Sequence, residues 1–133
     1  MPLCKLHLPQ AIDADTATRI ADALHESLVE TCGVNPDDHF YLIQRYGAGD
    51  AHAHPTFLGS RDPSATFIAE ITLLGGRTES QKETLYTDFR RRVAAIGLDP
   101  RNSVVFLVEN GPVDWSFGPE GSVKKVLEDR GSN

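Results

Sequence analysis

The sequence predicts an α/β protein of the α+β kind: two βαβ repeats that form a four-stranded sheet with both helices on one face. Three observations carry this. The pattern strand, helix, strand occurs twice along 133 residues. Each helix stripe ends at a glycine, Gly33 and then Gly97, and each glycine is followed by a proline turn, Pro36 and then Pro100. Both pairs are separated by 64 positions, so GVNPDD and GLDPRN occupy equivalent places in the two units.

Leu3, Lys5 and His7 alternate with Cys4, Leu6 and Leu8, the period-2 pattern of a strand. Asp13 and Asp15 precede Ile20, Leu24 and Leu28, an apolar stripe whose acidic start suits the positive end of a helix. Gly33 stops this helix, and HFYLIQRY, aromatic and branched, is the second strand. In the second unit ATFIAEITLL, residues 65–74, is a strand. Thr78 and Gln81 form a capping box, and Leu85, Phe89, Val93 and Ile96 form the stripe. SVVFLVEN, residues 103–110, is the fourth strand.

Neither unit is long enough to bury a core by itself, so the two are expected to merge into a single domain spanning 1–133. Repeat 1 covers about 2–46, a Gly/Pro/Asp-rich connector 47–64, repeat 2 about 65–118, and a tail 119–133. Thr56 to Leu58 is read as a small extra strand, and SVKKVLEDR as a short helix capped by Ser122. The sheet face without helices is apolar and a candidate for self-association.

The balance of 13 Lys+Arg against 19 Asp+Glu, net -6, gives no electrostatic reason to bind nucleic acid or an anionic membrane. No apolar run approaches the ~20 residues of a membrane span and no signal peptide is recognisable, so a cytoplasmic location is expected. Cys4 and Cys32 read as reduced, buried thiols. His52-Ala53-His54 has chelating spacing, but no further ligand lies nearby in sequence, and neither a metal nor a cofactor is expected. His7, His25 and His39 read as surface residues of strand and helix. No nucleotide or serine-hydrolase fingerprint is present.

Pro2 poses a question. Proline belongs at the first residue of a strand, which explains its place ahead of Leu3. It also follows an initiator methionine, and trimming of that residue would leave a secondary amine with a pKa in the range of general acids and bases.

MPL at the start, DDHF around Asp38, GRTESQK around Arg77 and VENGPVDWSFG from Val108 to Gly118, together with the doubled βαβ unit, resemble the tautomerase superfamily. The likeness covers nearly the whole chain, is greatest to the malonate semialdehyde decarboxylase-like group, and is most specific in the last stretch. One departure stands out: the group's pattern can carry a second arginine two places before the one matching Arg77, and here that place is Gly75.

The resemblance implies a cofactor-free homotrimeric enzyme acting on a small oxo-carboxylic acid, as a keto-enol tautomerase or as a malonate semialdehyde decarboxylase or hydratase. Pro2 would be the acid/base or imine-forming group, with Asp38 activating a water or orienting the amine. Arg77 precedes the capping box, where a guanidinium and a helix N-terminus both suit a substrate carboxylate; read without the resemblance it is a solvated loop arginine. Trp115 and Phe117 either anchor their loop or wall a substrate pocket, and one position serves both. The rival class is a non-catalytic binding or signalling protein on the same trimeric scaffold.

Overall fold

The computed structural model describes residues 1–131. The last two residues of the expected tail, Ser132 and Asn133, lie outside the described residues. The chain runs β1 (Leu3–Pro9), α1 (Ala14–Cys32), β2 (Tyr41–Tyr46), β3 (Phe67–Leu74), α2 (Glu79–Ala95), β4 (Ser103–Asn110) and α3 (Val123–Gly131), with single 3-10 turns at Pro100–Asn102 and Pro112–Asp114.

Local chemistry sets most of these boundaries. Asp13 caps α1, its carboxylate accepting from the Thr16 N–H at 2.7 Å, and Gly33 closes the helix at φ 68°, where a Cβ would be strained. The Thr78/Gln81 capping box opens α2 with both reciprocal hydrogen bonds formed. β3 starts two residues later than the composition suggests, at Phe67, and β2 starts at Tyr41, while β4 spans the expected 103–110. Thr56 to Leu58 form no strand. The His54 ring Nδ1 accepts from both the Thr56 and Phe57 N–H at 3.1 Å, curling the backbone, and Leu58 sits at φ 49°.

The sheet order is β2-β1-β3-β4. β1 pairs parallel to β2 and β3 parallel to β4, while β1 and β3 meet antiparallel with Cys4 opposite Ile71 and Leu6 opposite Ala69. Each repeat is therefore a βαβ unit, joined through the two central strands. Cys4, Leu6 and Leu8 from β1 and Phe67, Ala69, Ile71 and Leu73 from β3 point into one core with Ile20, Leu24 and Leu28 of α1 and Leu85, Phe89 and Val93 of α2. Ile96, the last residue of the expected α2 stripe, packs at the edge of that core. The opposite face carries alternate side chains in a different state of burial: Leu42 is 55% exposed, Phe106 42% and Val108 44%. Apolar side chains are therefore exposed together on this face, as they are on surfaces that take part in association.

Arg92 ties the two helices together, donating to Asp88 in its own helix and to Glu26 and Glu30 of α1. Burial pushes the Asp88 carboxyl up, but hydrogen bonds from Arg92 and Arg91 outweigh it and hold the group at about 2, against an ordinary 3.8. A depressed folded-state pKa gives stability that is present above the unfolded value and disappears as pH falls through the folded one. Asp88→Asn is expected to lower urea stability by about 1–2 kcal/mol at pH 7. From pH 4 down to about pH 1 the gap to the wild type should close, and a gap that does not shrink over that range would show that the carboxylate charge is not its source.

Candidate active site

Because β1 runs parallel to β2 and antiparallel to β3, the start of β1, the start of β2 and the ends of β3 and β4 all lie at one end of the sheet. Pro2 precedes β1, Asp38 precedes β2, Arg77 follows β3, and Trp115 and Phe117 follow β4. The topology thus delivers all five sequence candidates to the same end. Crevices at strand ends of this type are where α/β sheets place ligands.

The amino-terminal ammonium of Met1 lies 2.9 Å from Asp38 Oδ2, and both groups are largely shielded, with side chains 18% and 15% exposed. The Asp38 loop is held there by the Asp38 N–H bonding to the Asn35 carbonyl at 2.9 Å and by the Cys4 N–H donating to the Phe40 carbonyl at 3.0 Å. Pro2 is fully buried beneath. It sits one residue outside the ladder of a central strand, the position where its missing N–H costs no pairing.

A cleft of about 620 Å³ opens on this terminus, with Asp38 and Phe117 on its walls and Glu120, Val126, Leu127, Asp129 and Arg130 contributed from the tail. Trp115 backs Phe117, the two rings stacked at 6.0 Å and 4° between planes, and Phe40 meets Phe117 at 5.3 Å. The Trp115 indole N–H donates to Asn110 Oδ1 at 2.6 Å, and its carbonyl accepts from the Val123 N–H at 2.8 Å, which fixes α3 against the loop. Loop anchor and pocket wall are therefore divided: Trp115 holds the loop and Phe117 faces the cleft.

Arg77 stands apart from this wall. Its Nε donates to the Cys32 carbonyl at 3.2 Å and its Nη1 to the Leu74 carbonyl at 3.1 Å. Cys32 is the last residue of α1, so the guanidinium satisfies a carbonyl that the helix end leaves open. The side chain turns toward the C-terminus of α1 rather than toward the α2 N-terminus, and it is not among the residues lining the cleft. Its neighbourhood is shared with Glu109, which pairs with Lys82. That pairing, with help from the Gly76 N–H and from Arg77, holds the Glu109 carboxyl below its usual range. At Gly75 an added Cβ would meet Glu109 Oε2 at 3.0 Å, so the place of the absent second arginine is occupied by a carboxylate neighbour.

Under Pro2 and Asp38 lie Cys4 and Tyr41. Burial pushes the Cys4 thiol up to about 12, with the Asp38 charge adding to the shift, and burial likewise raises the Tyr41 hydroxyl. Both groups are neutral at physiological pH, so Asp38 and the terminal amine are the ionic pair of this corner.

Two features escape a reading of sequence alone. The tail helix α3 is part of the cleft, where its sequence shows only a short amphipathic segment. On the uncovered sheet face, far from the amino terminus, His7 joins Tyr46 and Glu70: Nδ1 lies 2.6 Å from the Tyr46 hydroxyl and Nε2 lies 3.1 Å from Glu70 Oε1. His7 is thus a partly buried residue that bridges Tyr46 and Glu70 and not a free surface group; the β1–β2–β3 register is the signal that brings the three together. His25 and His39 stack edge-on at 4.5 Å. His52 Nε2 bonds to the Gly49 carbonyl at 2.9 Å, and His54 caps its own loop. Among the described residues no group of three or more His, Cys, Asp or Glu is placed to hold a metal, and no helix is long and apolar enough to cross a membrane.

Comparison with known proteins agrees with this geometry. A family profile described as tautomerase enzyme matches residues 38–118, more than half of the chain, from Asp38 to the glycine after Phe117. Two probable tautomerases of Bacillus subtilis (strain 168) are similar. YusQ is 27% identical over 89% of this chain and 94% of its own length. YrdN is 25% identical over 89% and 92%. A crystal structure of malonate semialdehyde decarboxylase superimposes with TM-score 0.86 at 27% identity, over 96% of this chain and 98% of that one. The FG41 malonate semialdehyde decarboxylase inhibited by 3-bromopropiolate gives 0.85 at 29% identity, over 96% of both chains. A fused 4-OT symmetric trimer shares the fold at TM-score 0.76 and 21% identity, over 93% of this chain and 98% of that one.

Proposed function

Because the chain belongs to the tautomerase enzyme family, we propose that it is a cofactor-independent catalyst that uses Pro2 as an acid/base on a small oxo-carboxylic acid. The observation that carries this is the amino terminus held 2.9 Å from Asp38 at the mouth of a cleft. Removal of Met1 would leave the Pro2 nitrogen as the terminal amine, about one residue length, ~3.8 Å, deeper in the same corner. There the amine stands beside the Asp38 carboxylate, which would orient it for proton transfer.

In a keto-enol tautomerisation the neutral amine takes the proton from the carbon beside the substrate carbonyl. The electron pair of that C–H bond becomes the C=C bond of the enol while the carbonyl π pair moves onto oxygen, and the ammonium returns the proton to that oxygen. Phe117, backed by Trp115, gives this exchange an apolar wall. Arg77 holds the β3–α2 turn through the Cys32 and Leu74 carbonyls and adds positive charge to the same end of the sheet, which draws an anionic substrate toward the cleft. Decarboxylation or hydration of malonate semialdehyde uses the same amine in its protonated form, or as an imine, and the solved decarboxylases support this as the second activity of the pocket. Assembly as a homotrimer through the bare sheet face and action in the cytoplasm complete the proposal.

The test is a paired assay, following loss of an enol-pyruvate and release of carbon dioxide from malonate semialdehyde, on protein whose intact mass shows that Met1 is gone. Absence of both activities from such protein overturns the proposal.

A further inference from the structure

We propose that Arg130, in the last turn of α3, is the carboxylate-binding residue of this cleft. The inference rests on the reading of the amino-terminal cleft as a substrate site, and assigns the anion grip to a residue outside the family-profile match, which ends at residue 118.

The cleft needs a cation for an oxo acid. Three carboxylates line it, Asp38, Glu120 and Asp129, and they repel an anionic ligand. Against them stand the terminal ammonium, which is engaged by Asp38 at 2.9 Å, and Arg130. Arg77 does not line the cleft and has two nitrogens committed to the Cys32 and Leu74 carbonyls. The place where a second arginine could follow β3 is Gly75, hemmed by Glu109.

Arg130 differs from every other arginine of the chain. Arg19, Arg91, Arg92 and Arg101 are paired with carboxylates, while Arg45, Arg61, Arg77 and Arg90 donate to carbonyl or hydroxyl oxygens. Among the described residues Arg130 forms neither an ion pair nor a hydrogen bond. A planar guanidinium with no protein acceptor, facing a cleft that also holds the terminal amine and an aromatic wall, has the geometry for bidentate capture of a carboxylate. α3 is secured at its start by the Val123 N–H bonding to the Trp115 carbonyl and by the Ser122 hydroxyl capping Lys125, so the helix presents Arg130 from a defined base. The chain thereby supplies from its C-terminal helix the second cation that the β3–α2 turn lacks.

The experiment is calorimetric titration of the full-length protein with monomethyl malonate, which carries one carboxylate, and with dimethyl malonate, which carries none. Arg130→Gln is expected to weaken monomethyl malonate tenfold or more, a normal loss for a charge-assisted hydrogen-bonded pair, with the neutral diester and the Tm unchanged. Arg130→Lys should retain part of the affinity. The proposal is overturned if Arg130→Gln binds the monoester as the wild type does, if both ligands weaken equally, or if the wild type does not prefer the charged one. Should Arg130→Gln lower the Tm, Arg130→Lys decides: restored stability without restored binding overturns it as well. None of these outcomes bears on Pro2, whose role is read from turnover.

Discussion

Protein that retains Met1 is expected to be inert toward oxo acids, and Pro2→Ala with its methionine removed is expected to lose roughly 10²–10³-fold in kcat/KM. The two losses have different origins. With Met1 in place the Pro2 nitrogen is an amide whose lone pair is delocalised into the carbonyl, so it neither takes a proton nor attacks an aldehyde. An alanine amine keeps a basic nitrogen but not the ring that locks the nitrogen's orientation to its own Cα and fills the buried seat at the head of β1. Alanine thereby loses alignment with Asp38 more than it loses basicity. The measurement is kcat/KM over pH 5–10, with intact mass confirming the first residue of each sample and circular dichroism confirming the fold. If Pro2→Ala turns over an oxo acid as fast as the wild type, the amine is not the catalyst. Residual rates in Met1-bearing preparations that match the fraction shown by mass to have lost Met1 would be strong support, since they tie activity to the free nitrogen itself.

Much of this corner was legible in the chain because its determinants are local or periodic. Gly33 closes α1 at a positive φ, and Thr78 with Gln81 opens α2: each signal lies within four residues of the event it controls. The alternation of β1 and the 64-residue spacing fix the two βαβ units. Once the units pair through β1 and β3, Pro2, Asp38, Arg77, Trp115 and Phe117 have no choice but to share an end of the sheet. What the chain concealed depends on where side chains turn after they arrive. The acceptor for Arg77 Nε is a carbonyl 45 residues away, at a helix end whose distance from the β3–α2 turn no periodicity encodes. The His7–Glu70 contact spans 63 residues and needs the antiparallel register. The small strand expected at Thr56–Leu58 failed because His54 offers its ring nitrogen to two successive N–H groups, a side-chain competitor that composition does not weigh.

Phe89→Ala is the second large effect expected, and its signature is the reverse of the first. Phe89 is completely buried and meets Phe67 edge to face, with ring centroids 6.4 Å apart and planes at 89°. Truncating a buried phenylalanine costs about 3–5 kcal/mol, from lost transfer energy and from the cavity left behind. The edge-to-face pair adds roughly 0.5–1.5 kcal/mol to what is at stake. Against a typical total stability of about 5–15 kcal/mol, this corresponds to a fall in Tm of roughly 10–20 °C for a domain of this size. The consequence for function follows from position. Phe89 lies more than two turns into α2, against the base of β3, whereas the amino terminus and Asp38 belong to β1 and the turn before β2. At a temperature well below its lowered Tm, the variant should keep kcat within about threefold of the wild type, because the cleft walls come from the amino terminus, Asp38, the loop after β4 and the tail, none of them on α2. Thermal melts and turnover at 15 °C measured on the same preparation separate the cases. A Tm unchanged by Phe89→Ala would mean that α2 is not held to the sheet by this contact. A lost kcat in a folded, low-temperature sample would mean that the α2 packing and the amino-terminal corner form one mechanical unit.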